Sequence, residues 1–296
     1  MAKPASFQDI IDHPVPPISI VDVGAMSEGQ ERYHHLLHSG LATVTGFEPN
    51  PEEFARLQGR PGPYRYLPVF LGDGGPATFN IAHYPGCSSL LLPDPKVIDL
   101  FETIGASHAG HNFTIVRSED VETTRLDDIA DLEVDYIKLD VQGSELEVMR
   151  HGTGKLADTV VIECEVEFMP LYRGQPLFGD IQLFLRDQGF VLHKMIDCAG
   201  RPLRPFRPPN PYLPMSQLLW ADAIFVRDFT RLDSYSDDGL LKAAAVLDVV
   251  YGSYDLVALL LGEFDRRRAT RIKPRYAESL RHRNLMLQFL NIKDHC

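Results

Sequence analysis

The residues with the most chemical promise in this sequence are carboxylates and glycines at the ends of short apolar runs. Asp22-Val23-Gly24-Ala25 closes the first such run, Phe47-Glu48-Pro49-Asn50 the second, Leu71-Gly72-Asp73 the third and Asp140-Val141-Gln142-Gly143 the fourth. Gly24 would let a ligand approach the backbone, and a helix N-terminus after it favours a negative group. Glu48, about two dozen positions on, is placed to accept hydrogen bonds from both hydroxyls of a ribose. Asp73 is placed for contact with a base. A strand-end Asp by itself is as often a helix cap or turn former as a ligand contact. Three such ends in the correct order describe a nucleoside-binding cleft.

These ends need a scaffold, and the first two-thirds of the chain supplies one. Strand-like runs are predicted over 18–25, 41–47, 64–71, 136–141 and 160–168, with further strands near 190–196 and 219–226. Helical patterns alternate with them. Ser27 and Gln30 form a capping-box pattern for a helix stopping at Gly40, and Asn50-Pro51 with Glu53 opens the next. Ser144 and Glu147 read as a second capping box, and a helix around 180–188 ends at Gly189. Such alternation implies a doubly wound α/β fold with a mostly parallel sheet, and ligands then bind at the carboxyl ends of its strands. The segment from Arg201 to Pro214 carries six prolines and three arginines and reads as a stiff loop. Residues 1–235 are expected to form the catalytic domain and 236–296 a helical C-terminal extension. Within that extension Leu240 to Leu261 is apolar nearly all round, so it should be buried against the core or in a homodimer.

Two nucleoside cofactors compete for the cleft. A nicotinamide enzyme normally carries Gly-x-Gly-x-x-Gly after its first strand. Here the turn is Gly24-Ala25-Met26-Ser27-Glu28-Gly29, without that spacing, and Glu28 would repel a pyrophosphate. S-adenosylmethionine has no phosphates and needs only a looser turn, so the sequence favours it.

The runs Asp22-Val23-Gly24-Ala25, Gly46-Phe47-Glu48-Pro49-Asn50-Pro51, Thr124-Arg125-Leu126-Asp127-Asp128-Ile129 and Asp135-Tyr136-Ile137-Lys138-Leu139-Asp140-Val141-Gln142-Gly143-Ser144-Glu145 resemble the FkbM-type methyltransferases. Cys87-Ser88-Ser89-Leu90 and Ile162-Glu163-Cys164-Glu165-Val166 are similar to that family too. The resemblance implies a Rossmann-like class I methyltransferase sheet of seven strands with the last antiparallel. It also implies methyl transfer to oxygen, often a hydroxyl of a saccharide or small metabolite. Asp22, Gly24, Ala25, Glu48, Pro49, Asp73, Ser89 and Asp140 are the expected cofactor contacts.

An alcohol is a poor nucleophile near neutral pH, so a general base or a metal is expected beside the acceptor. Asp140 is the first candidate base, its alternative role being a cap for the following helix. Glu163, Glu165 and Glu167 alternate along the fifth strand and so project to one side. Glu165 is the second catalytic candidate, and Glu163 and Glu167 are expected to orient the acceptor. A divalent cation is not favoured, because the sequence offers no dedicated loop for one. Arg204, with Arg201 and Arg207, is a candidate clamp for an acidic acceptor.

Charge and composition limit the alternatives. The net charge of −12 argues against nucleic acid as a partner. It conceals a basic tail, since residues 265–296 carry +6 and the remainder −18. No apolar run approaches the length of a membrane span, and four widely spaced cysteines suggest neither zinc nor a disulfide framework. The expected setting is the cytoplasm. Two other accounts remain open: a nicotinamide-dependent oxidoreductase on the same fold, and a non-catalytic cofactor-binding module that uses its C-terminus for assembly.

Overall fold

The computed structural model of the protein describes residues 6–26 and 31–282. They divide into two compact units, one built from 6–18, 31–42 and 229–282, the other from 19–26 and 43–228.

The larger unit carries the sheet. Its main strands are β1 (Ile18–Val23), β2 (Ala42–Phe47) and β3 (Tyr64–Leu67), then β7 (Tyr136–Leu139), β8 (Val161–Glu167), β9 (Phe190–Gly200) and β10 (Leu218–Arg227). A small second sheet holds β4 (Phe70–Leu71), β5 (Pro76–Ala82) and β6 (Ile115–Thr124). The large sheet runs β3-β2-β1-β7-β8-β10-β9, seven strands in which β10 lies antiparallel between β8 and β9. This is the doubly wound Rossmann-like arrangement with a reversed last strand that the family resemblance implies. Chain order reverses between β1 and β7, and a crevice opens at the carboxyl ends of the strands there.

The pleat divides the sheet into two faces. Val21, Val23, Ile137, Leu139, Ile162, Cys164 and Val166 point to one, where they form a core with Leu146, Met149, Ile181 and Leu185. These last four come from α5 (Glu145–Arg150) and α7 (Phe178–Asp187), with α6 (Thr153–Leu156) completing the layer. The other parity places Asp22, Lys138 and Glu163 side by side through the parallel register Asp22↔Lys138↔Glu163.

The helix after β2, α3 (Pro51–Gln58), starts as its sequence dictates. Asn50 Oδ1 accepts the amides of Glu52 at 3.0 Å and Glu53 at 3.3 Å, with proline at the first helical position. The second capping box is not formed. Ser144 makes no side-chain cap, and Glu145 curls back instead so that its carboxylate accepts the amides of Val141 and Gly143. The first capping box, Ser27 with Gln30, lies outside the described residues.

The predicted third strand is also corrected. The run 64–71 is split, because Pro68 has no N–H to continue the ladder, and Phe70–Leu71 pairs with Thr123–Thr124 in the second sheet. Between β5 and β6 the chain builds a cap that the sequence reading did not foresee. It includes the short α4 (Pro95–Ile98), and its Ile98, Phe101 and Phe113 share a core with Leu171 and Tyr172, which follow β8.

The smaller unit is helical: α1 (Phe7–Ile11), α2 (His34–Ser39), α8 (Asp237–Val249), α9 (Tyr254–Arg268) and α10 (Ile272–His282). The apolar stretch 240–261 is two helices rather than one, broken where Gly252 takes φ 59 ahead of Ser253. Most of α8 is buried, including Ala243 to Leu247. Part of the basic tail is internally spent, since Arg266 and Arg267 both donate to Glu263. Among the described residues no helix is long and apolar enough to cross a membrane.

Candidate active site

A cavity opens at the carboxyl ends of β1, β2 and β7. Its lining includes Gly24 and Met26 after β1, Glu48 and Pro49 after β2, and Asp140, Gln142 and Ser144 after β7. Val69, Phe70, Leu71 and Phe79 form an apolar wall, and Pro85, Ser88, Ser89 and Leu90 come from the cap.

Gly24 is required for backbone reasons. It takes φ 82, and a Cβ there would sit 1.9 Å from the carbonyl oxygen of Asp140. The amides of Gly24 and Ala25 both donate to the Phe47 carbonyl, at 3.1 and 3.2 Å, and the Asp140 amide donates to the Val23 carbonyl at 3.0 Å. Three strand ends are thereby tied together at one point.

Glu48 is 7% exposed, and its Oε1 accepts the Asn50 amide at 2.7 Å. Burial, aided by the nearby charges of Glu53 and Asp22, pushes its carboxyl up to about 7 against the pull of the Asn50 amide. The Ser89 hydroxyl donates to the Gln142 carbonyl at 2.7 Å and accepts the Leu91 amide at 2.9 Å, which ties the cap to the turn after β7.

Asp140 presents a partly accessible carboxylate to the cavity, with its side chain 38% exposed. Its Oδ1 accepts Gln142 Nε2 at 3.0 Å, and Lys138 Nζ stands 3.8 Å from its Oδ2. The same ammonium lies 3.5 Å from Asp22 Oδ1, and Asp22 is buried rather than lining the cavity. Behind Asp140 sit the buried acids Glu145 and Glu167 and the half-buried Glu165. Glu165 Oε2 accepts the other hydrogen of Gln142 Nε2 at 2.7 Å. Burial and the neighbouring carboxylates push Glu165 and Glu167 well above the usual range, and burial takes Glu145 to about 7 despite the amides it accepts.

Several expected site residues have other work. Asp73 is outside the cavity lining, and its carboxylate caps a turn by accepting the Gly75 amide at 2.8 Å and the Thr123 hydroxyl at 3.2 Å. Glu163 is 2% exposed and accepts the Tyr136 hydroxyl at 2.6 Å, so it is a buried sheet residue. Glu167 is equally buried, its Oε2 without a hydrogen-bond partner among the described residues. The Arg204 guanidinium donates to the carbonyls of Asp99 at 3.1 Å and Ile104 at 2.9 Å, pinning the prolyl loop rather than facing the cavity. Gln142, Glu145 and Tyr172 carry no signal in the sequence pattern that marks them as site residues. Only the Gln142-Gly143 pair after a strand hinted at a turn of unusual backbone.

A model of the FkbM methyltransferase domain matches residues 22–192. The chain belongs to the FkbM methyltransferase family. Over 169 residues it is 32% identical to the 2-O-methyltransferase NoeI of Sinorhizobium fredii (strain NBRC 101917 / NGR234), a match covering 53% of this chain and 66% of that protein's length. Solved structures similar to it include the magnesium protoporphyrin IX methyltransferase ChlM of Synechocystis PCC 6803 with bound SAM. That match has 12% identity and a TM-score of 0.36, covering 72% of this chain and 71% of that one. The 1,6-didemethyltoxoflavin-N1-methyltransferase of Burkholderia thailandensis matches at 13% identity and a TM-score of 0.32, with 72% of each chain covered.

The donor set suits the cofactor that this family implies. The apolar wall of Val69, Phe70, Leu71 and Phe79 would suit a flat base, and the Glu48 carboxylate would suit a vicinal diol. Among the described residues no group of three or more His, Cys, Asp or Glu side chains is arranged to hold a metal ion.

The buried acids have a consequence for stability. With Glu48 and Glu145 held near 7 against an ordinary 4.5, the folded chain keeps protons that the unfolded chain releases between those values. Their contribution to stability is complete below about pH 4.5 and is lost as pH rises through about 7. The urea midpoint of the free protein is therefore expected to fall between about pH 5 and about pH 8, and Glu145→Gln to lessen the fall. A wild-type midpoint that rises over this interval contradicts the assignment.

Proposed function

We propose that the protein is an S-adenosylmethionine-dependent O-methyltransferase acting on a hydroxyl of a saccharide or small metabolite. The observation that carries this reading is the partly exposed Asp140 carboxylate in the same cavity as Glu48, Gly24 and the apolar wall. The name of the NoeI relative, a 2-O-methyltransferase, supports oxygen as the accepting atom.

When bound, S-adenosylmethionine supplies an electrophilic methyl carbon, so the protein has to align a hydroxyl and take its proton. Glu48 anchors the ribose and the wall of Val69, Phe70, Leu71 and Phe79 encloses the base. Asp140 receives the proton of the acceptor hydroxyl as the oxygen becomes nucleophilic. Lys138, beside both Asp140 and Asp22, offsets the negative charge gathered at this strand end. Burial and the neighbouring carboxylates disfavour the ionised forms of Glu165 and Glu167, and neither lines the cavity.

The test pairs two measurements. Isothermal titration with S-adenosylhomocysteine should show micromolar binding to the wild type. Methyl-labelled S-adenosylmethionine, incubated with a panel of mono- and oligosaccharides and hydroxylated metabolites, should then give an alkali-stable methyl ether on at least one acceptor. Absence of binding rejects the reading. Binding without transfer to any hydroxyl favours a non-catalytic cofactor-binding module.

A further inference from the structure

Gln142 lies in the turn between β7 and α5 at φ 57, a left-handed conformation that disfavours most side chains other than asparagine. Gly143 follows at φ 104. A non-glycine residue kept in such a conformation points to work done by its side chain, and here that side chain is fully engaged. Nε2 gives one hydrogen to Asp140 Oδ1 at 3.0 Å and the other to Glu165 Oε2 at 2.7 Å. Two carboxylates on one end of the amide fix which end carries nitrogen. At the other end, Oε1 lies 3.2 Å from the Tyr172 hydroxyl, which also reaches the Cys87 carbonyl at 2.9 Å. The backbone carbonyl of Gln142 accepts the Ser89 hydroxyl.

We infer that Gln142 is a positioning residue for Asp140, holding one carboxylate oxygen so that the other faces the acceptor hydroxyl. The inference rests on the reading of Asp140 as the proton acceptor. Its chemical logic lies in the neutral amide. Facing Asp140 are the ammonium of Lys138, with Asp22 behind it, and the acids Glu145, Glu165 and Glu167. A donor that carries no charge of its own can sit between Asp140 and Glu165 and favour the ionised form of Asp140. A carboxylate in its place would add another like charge and favour the protonated form.

The experiment follows the carboxyl ¹³C shift of Asp140 with pH in aspartate-labelled protein, the resonance being assigned by its loss in Asp140→Asn. Gln142→Gly is the informative variant, because glycine adopts φ 57 without strain and the backbone is kept. It is expected to keep the fold and its affinity for S-adenosylhomocysteine, with a modest fall in melting temperature for the side-chain hydrogen bonds lost. The Asp140 midpoint is expected to rise by about one pH unit, and further in Gln142→Glu. An unchanged midpoint in both variants overturns the inference. So does a loss of S-adenosylhomocysteine affinity of about tenfold or more in Gln142→Gly, which would make Gln142 a cofactor contact instead. Failure of the underlying reading looks different: Asp140→Asn would transfer methyl groups at the wild-type rate whatever the midpoints do.

Discussion

Replacing Asp140 by asparagine is expected to slow methyl transfer about 10²- to 10⁴-fold, the range lost when a positioned general base is removed, while S-adenosylhomocysteine still binds as it does to the wild type. Asparagine has the same shape and retains an oxygen to accept Gln142 Nε2, so the turn after β7 keeps its hydrogen bond. What disappears is a basic oxygen on the wall of the cavity. Glu165, its nearest neighbour through the Gln142 amide, does not line the cavity, and burial and the neighbouring carboxylates disfavour its ionised form. Single-turnover rates with labelled cofactor, set beside isothermal titration of the same preparation, separate the two effects. A rate within about threefold of wild type would remove Asp140 from the chemistry and leave it as a structural end to β7. Loss of binding and rate together would indicate that asparagine had disturbed the cofactor end of the cavity.

The residues involved show what a sequence makes legible and what it does not. That Gly24, Glu48 and Asp140 meet at one cavity was readable because a parallel sheet brings the carboxyl ends of its strands together, whatever the loops do. The Asn50 cap was readable because its donors and acceptor are all within four residues. Asp73 was misplaced by one prolyl residue. The run 64–71 looks continuous, but Pro68 ends one sheet and sends the next residues into another, so the acid that follows caps a turn. For Glu163, alternation gave the side of the strand correctly and could not give the depth, which is set by the Tyr136 hydroxyl across the sheet. Gln142 and Tyr172 were invisible for a related reason. Their importance lies in contacts 30 positions apart, made possible by a cap whose Phe101 and Phe113 share with Leu171 a core of no simple periodicity. Arg204 had a plausible charge, but backbone carbonyls of that cap claim its guanidinium.

Affinity for S-adenosylhomocysteine is expected to depend on pH through Glu48. The carboxyl, held at about 7 by burial in the free protein, accepts hydrogen bonds from ribose hydroxyls best when ionised. Ligand binding therefore selects the deprotonated form, and protonation competes with it. Above about pH 8 the dissociation constant should be flat, and below about pH 7 it should rise roughly tenfold per pH unit, until the carboxyl of the bound state itself takes up a proton. The sign is opposite to that for stability of the free protein, which loses the contribution of Glu48 as pH rises, because ligand hydroxyls replace the water that burial has removed. Glu48→Gln keeps the shape and the cavity wall but cannot titrate. It should bind about 10- to 100-fold more weakly at about pH 8, the loss of one or two hydrogen bonds to a charged acceptor, and its affinity should be nearly independent of pH in this range. Isothermal titration at several pH values in buffers of different ionisation enthalpy measures both the affinity and the proton released on binding. A wild-type profile as flat as that of Glu48→Gln would mean that the ribose is held elsewhere, and that the high carboxyl at the end of β2 serves only to close the strand onto the Asn50 amide.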